Sequence, residues 1–232
     1  LEHHAELAQL EARDTGKPMT TAKTDITVGD AVSTQSGDIA LKTSTGFVTL
    51  NDTLTTKATN ARAEDGQFAD GNVTVNAATT ITQNADITLN KGDLRLTANA
   101  GDIVQNANSK LSEGNVVLTA IATKDDEPSG GNIAMRDVIP AVGDTAMKPA
   151  TRIEIGTGNM SLTADATIKS QVLSTGAGDV TMTAGDSVLA GQSISTDLGQ
   201  VAVTAKVGSI TTDTDAAVMA TRETLAIMGL RY

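Results

Sequence analysis

The stretch Gly178-Asp179-Val180-Thr181-Met182-Thr183-Ala184-Gly185-Asp186-Ser187-Val188 decides the fold. Its centre alternates apolar and polar residues. In an extended chain this puts Val180 and Met182 on one face and Thr181 and Thr183 on the other. The Gly-Asp pairs at both ends are turn chemistry, because glycine accepts positive φ and aspartate bonds its own backbone. A single strand of this kind cannot bury its apolar face, so copies of it must supply the partner surface.

Such copies run along the chain. The blocks Gly37-Asp38-Ile39-Ala40-Leu41, Gly71-Asn72-Val73-Thr74-Val75, Gly92-Asp93-Leu94-Arg95-Leu96 and Gly114-Asn115-Val116-Val117-Leu118 share the pattern. So do Gly131-Asn132-Ile133-Ala134-Met135, Gly158-Asn159-Met160-Ser161-Leu162 and Gly199-Gln200-Val201-Ala202-Val203. Gly71 to Gly92 is a step of 21 residues, Gly92 to Gly114 of 22, Gly158 to Gly178 of 20, and Gly178 to Gly199 of 21. Longer steps, 34 from Gly37 to Gly71 and 27 from Gly131 to Gly158, mark insertions. Between the blocks lie further apolar pairs, such as Ile81 with Ile87 and Leu89, so each repeat holds about three short strands. Stacked repeats would pair each strand in parallel with its equivalent about 4.8 Å away and line the interior with Val, Ile, Leu and Met. The expected fold is all-β, a right-handed parallel β-helix or solenoid with coils of about 20 residues and a short N-terminal helix. A propeller would need longer blades with aromatic anchors, and a sandwich would need hairpin turns.

Composition agrees with a narrow, flat-walled interior. The chain has 232 residues, and its aromatic rings are Phe47, Phe68 and Tyr232. The filling must therefore come from aliphatic residues, alanine and threonine. A net charge of -11 argues against nucleic acid or an anionic membrane as partner, since both need clustered lysine and arginine. No stretch approaches the about eighteen apolar residues of a spanning helix, so no membrane insertion is expected. The absence of cysteine removes disulfides and thiol chemistry.

The quoted stretch resembles the filamentous-haemagglutinin type of repeat, as does Gly92-Asp93-Leu94-Arg95-Leu96-Thr97-Ala98-Asn99-Ala100-Gly101-Asp102-Ile103. The resemblance covers about residues 24 to 220. It implies the right-handed parallel β-helix of large secreted bacterial adhesins and exoproteins. It also implies an extracellular or cell-surface location, with a host, surface or neighbouring-cell ligand as partner.

Residues 1–20 are expected to be a helix or cap, or a tag-derived segment. Leu7 and Leu10 form an apolar stripe that Gly16 and Pro18 end. Residues 7–18 are also similar to an early helical segment of aldehyde dehydrogenases, but the chain lacks that family's cysteine nucleophile, so no activity carries over. The β-helix is expected over residues 21–220, with insertions near 55–70 and 121–152. The later insertion has two pieces, residues 122–131 and 137–152, which lie close in sequence and suggest one lateral bump. Residues 221–232 are expected to be a C-terminal strand or docking segment.

Chemistry is sparse. Asp125, Asp126 and Glu127 are consecutive carboxylates without the spaced oxygens that calcium needs. Asp86, Asp93, Asp102, Arg95 and Lys91 are the outward polar residues that a polysaccharide-degrading β-helix would draw on. They lack the aromatic platform on which sugar rings stack. His3 and His4, at the terminus, are the only histidines. No catalytic residue, cofactor or metal ligand is assigned. The function expected is a non-catalytic structural or adhesive scaffold. A subunit of an extracellular filament or sheath, with copies stacked end to end, is the alternative; a polysaccharide-degrading enzyme is the weakest.

Overall fold

Extended chain with β-branched or leucine residues at every second position buries one face and wets the other. The computed structural model describes residues 24–35, 37–57, 71–123, 129–141, 146–213, 217–220 and 225–229, and every regular element among them is a β-strand. The strands come in triplets. The first is β1 (Ile26–Val28), β2 (Val32–Thr34) and β3 (Ile39–Lys42), and the second is β4 (Val48–Leu50), β5 (Leu54–Thr56) and β6 (Val73–Ala77). Next come β7 (Ile81–Gln83), β8 (Ile87–Lys91) and β9 (Leu94–Ala98), then β10 (Ile103–Gln105), β11 (Ser109–Glu113) and β12 (Val116–Ala120). The fifth is β13 (Ile133–Met135), β14 (Arg152–Thr157) and β15 (Met160–Ala164). The long strands β16 (Ile168–Ala177) and β18 (Val188–Leu198) each supply the first two strands of a triplet, completed by β17 (Val180–Ala184) and β19 (Val201–Ala205). The last triplet is β20 (Ile210–Thr212), β21 (Ala217–Ala220) and β22 (Leu225–Gly229).

Pairing follows the triplets. Third strands join third strands, all parallel, in an eight-stranded sheet in which β12 lies between β9 and β15. First and second strands make a fourteen-stranded sheet whose two limbs merge at β16, where the register shifts between Ser170 and Val172. Register puts like on like. Ile26, Val48, Ile81, Ile103, Ile133, Ile168 and Val188 form one buried column, and Leu41, Val75, Leu96, Leu118, Leu162, Met182 and Val203 another. Each such side chain contributes about 1.5–3 kcal/mol by leaving water. On the outer side of the same sheet Thr97, Thr119, Thr163, Thr183 and Thr204 share one register. Phe47, the one described aromatic, is 43% exposed, so aliphatic residues fill the interior.

The interior also holds a polar layer. Gln83 and Gln105 are fully buried at neighbouring positions of one column, and Gln105 Nε2 donates to Gln83 Oε1 at 2.9 Å. Gln83 Nε2 in turn donates to the carbonyl oxygens of Ala85 at 3.2 Å and Asn108 at 3.0 Å, which ties two successive turns. Gln105 Oε1 has no partner. The two glutamines should therefore respond differently to replacement. Gln83→Met strands carbonyls and the Gln105 amide and is expected to cost about 1–3 kcal/mol. Gln105→Met removes an unsatisfied oxygen and is expected to stay within about 1 kcal/mol of the unaltered chain, or to stabilise it. Urea midpoints at unchanged slope measure both.

One expectation needs correction. The block Gly131-Asn132-Ile133 does not continue the series of third strands. Its strand β13 pairs with β10 and β16, so Gly131-Asn132 occupies the same kind of turn as Gly101-Asp102. The third strand after β12 is β15, and both pieces of the later insertion fall between them. The described parts of the two pieces flank the three-residue strand β13, one before it and one after it. The N-terminal helix expected over residues 1–20 lies outside the described residues. Within 221–232 the described piece is β22, which pairs in parallel with β19.

Candidate binding groove

The turns between strands determine where the polar side chains stand. At the turn from second to third strand, each Asp or Asn carbonyl or carboxylate oxygen accepts the backbone N–H of its equivalent one triplet later. Asp38 accepts from Asn72 at 2.8 Å, Asn72 from Asp93 at 2.8 Å and Asp93 from Asn115 at 2.9 Å. The ladder continues through Asn115 to Asn159 at 3.0 Å, Asn159 to Asp179 at 2.8 Å and Asp179 to Gln200 at 2.8 Å. Acids are separated by amides throughout, so no two carboxylates meet at the about 4.8 Å strand spacing.

Asp93 is the most heavily partnered of these acids. Partial burial pushes its carboxyl upward. The Asn115 N–H at 2.9 Å, the Asn115 amide at 3.0 Å and the Arg95 guanidinium at 2.8 Å outweigh this and hold it below its ordinary 3.8. A carboxyl lowered in the fold stabilises it fully above its unfolded value, and loses that contribution as pH falls through the folded value. Asp93→Asn is therefore expected to lower the melting temperature near neutral pH. The difference from the unaltered chain should close below about pH 4. Thermal melts across that range measure it.

The residues singled out from sequence do not gather at one place. Asp86 lies in the turn from β7 to β8 and accepts the Asn108 N–H at 2.9 Å. Asp93 lies in the next turn and pairs with Arg95 on β9, and Lys91 pairs with Glu113. Asp102 lies in the turn from β9 to β10, accepting the N–H and amide of Asn132, both at 2.9 Å. Each acid is spent on its own turn ladder. Asp125, Asp126 and Glu127 lie outside the described residues, as do His3 and His4. Among the described residues no three His, Cys, Asp or Glu side chains are grouped to hold a metal, and no helix is long and apolar enough to cross a membrane.

A groove of about 140 Å³ does open on the outer side of β8, β11 and β14. Asp86, Thr88, Asn108, Lys110, Arg152 and Glu154 provide its polar walls, with Ile87 and Ser109 beneath. Register builds it: Thr88, Lys110 and Glu154 are successive partners across the three strands. Asn108 Oδ1 accepts the Arg152 N–H at 3.0 Å, which fixes the start of β14 after the insertion. Arg152 Nη1 reaches Glu154 Oε1 at 3.3 Å. The Lys110 side chain has neither hydrogen bond nor ion pair among the described residues, although Glu154 is its neighbour across the ladder. Of these residues only Asp86 was singled out from sequence. Lys110 and Arg152 lie 42 positions apart, and only the pairing of β11 with β14 across the insertions brings them together. No protein-family model, curated protein or solved structure matches the chain.

Proposed function

We propose that the chain is a non-catalytic scaffold of an extracellular or cell-surface adhesive protein, a right-handed parallel β-helix of the filamentous-haemagglutinin type. The supporting observation is the in-register parallel stacking of triplet on triplet, with threonines aligned outward and amides laddered at the turns. Strands within such a wall are hydrogen-bonded to the triplets before and after them, so the structure resists bending and holds outer features at fixed spacing. Eight strands at about 4.8 Å extend roughly 34 Å from first to last. The experiment is protease shaving and antibody labelling of intact cells that make the protein. Labelling and cleavage from outside are expected; a chain protected until the cells are broken would refute the surface assignment.

A second function, the subunit of a filament or sheath, draws support from the edges. β1, β2 and β3 pair on one side only among the described residues, as do β20, β21 and β22. Open parallel edges recruit further strands, and a head-to-tail contact of this kind does not close. Sedimentation velocity over a wide concentration range decides it: a growing series of species supports a filament, and one persistent species rejects it.

A further inference from the structure

We propose that the groove over β8, β11 and β14 binds a carboxylate-bearing sugar residue, with Lys110 and Arg152 holding the carboxylate and Asp86 and Glu154 accepting its hydroxyls. This rests on the adhesive function proposed above and names the class of ligand it would engage.

Charge is the first support. The chain carries a net -11, yet the groove holds two cations against two carboxylates. The Lys110 ammonium is unpartnered there among the described residues, while Arg152 holds one oxygen of the adjacent Glu154. An exposed cation on a rigid strand, beside a guanidinium with further N–H groups to donate, takes a carboxylate with little reorganisation.

The acids set what else the ligand must be. Asp86 uses Oδ1 for the Asn108 N–H and Glu154 uses Oε1 for Arg152, which leaves a second oxygen on each. Those oxygens accept hydroxyl donors and repel a ligand that is anionic throughout, such as a polyphosphate. Thr88, exposed at the head of the row, adds a hydroxyl that donates or accepts. A neutral sugar would leave Lys110 idle, and a simple carboxylate would leave Asp86 and Glu154 idle. A uronic-acid type of ring satisfies both, and the groove of about 140 Å³ has room to seat such a ring. The strands beneath are laddered on both sides, so the arrangement exists before the ligand arrives.

The test is a backbone-amide NMR titration of the full chain with D-glucuronate, alongside D-glucose and acetate. Saturable millimolar shifts are expected at Thr88, Lys110 and Glu154 with glucuronate, and much weaker ones with the other two. Lys110→Gln changes an outward side chain and is expected to weaken glucuronate about tenfold while leaving distant amides in place. Absence of saturation, equal shifts with acetate (an adventitious anion only), or an unaltered titration in Lys110→Gln would each overturn the proposal. Cell-surface labelling is independent of this titration. A surface-exposed chain that ignores glucuronate refutes the groove alone, and a binding chain kept inside cells refutes the adhesive function alone.

Discussion

Replacing Gly114 by alanine is expected to destabilise the protein by about 3–5 kcal/mol, lowering its melting temperature by roughly 10 °C. Gly114 opens the turn between β11 and β12 with φ of 131°, a region open essentially to glycine alone. A Cβ there would fall far inside contact distance of the Gly92 carbonyl oxygen, one triplet earlier. Backbone cannot swing aside as a flexible side chain would. Relief must come from lifting β12 off β9, which strains the ladder on both sides, where Leu94 N–H donates to the Asn115 carbonyl at 2.8 Å and Val116 N–H donates to the Asn159 carbonyl at 2.9 Å. Positive φ costs about 1–3 kcal/mol, and each weakened hydrogen bond adds about 1 kcal/mol. Gly29 is the control, because a Cβ there meets nothing within 4 Å, and Gly29→Ala is expected to stay within about 0.5 kcal/mol. Equal melting temperatures for the two variants would show that the triplets do not stack as closely as the turn requires.

That contrast marks what was legible in the sequence. Alternation names the inward residues reliably, because the side-chain period of a strand is two: Val180 and Met182 are fully buried, and Thr181 between them is exposed. Gly-Asx pairs mark turns, but the same wording serves two different turns. Gly131-Asn132 is spelled like Gly114-Asn115 and sits where Gly101-Asp102 sits. Only the partner strand distinguishes them, and pairing across an insertion is not written in either segment. Gln83 shows a second limit. Its place after Ile81 and Thr82 points inward while its polarity argues outward, and the conflict is resolved by carbonyls of turns 2 and 25 residues away. The groove is hidden for the same reason, since Thr88, Lys110 and Glu154 meet only through the register of three strands. Carboxylates that look available in sequence, such as Asp93 and Asp102, are consumed by N–H groups one triplet on.

Leu118→Ala is expected to cost about 4 kcal/mol, in the upper half of the range for emptying a leucine site. Leu118 is fully buried on β12, stacked in register between Leu96 on β9 and Leu162 on β15. The cost depends on whether the site can collapse, and here it resists. β12 is hydrogen-bonded along both edges, so its backbone cannot settle into the void without breaking one ladder. Stacking also predicts how far the damage travels. Leu96→Ala and Leu118→Ala open one continuous void and should depart from additivity by more than about 0.5 kcal/mol. Leu118→Ala and Val203→Ala are three strand spacings apart, about 14 Å, and should add. Denaturant midpoints of the single and double variants measure both couplings. Hydrogen exchange should place the lost protection in β9, β12 and β15 before it reaches β19, as nearest-neighbour stacking requires. A cost below about 1 kcal/mol, or equal coupling for both pairs, would mean that Leu118 does not stand in a sealed column and that cooperativity does not run along the stack.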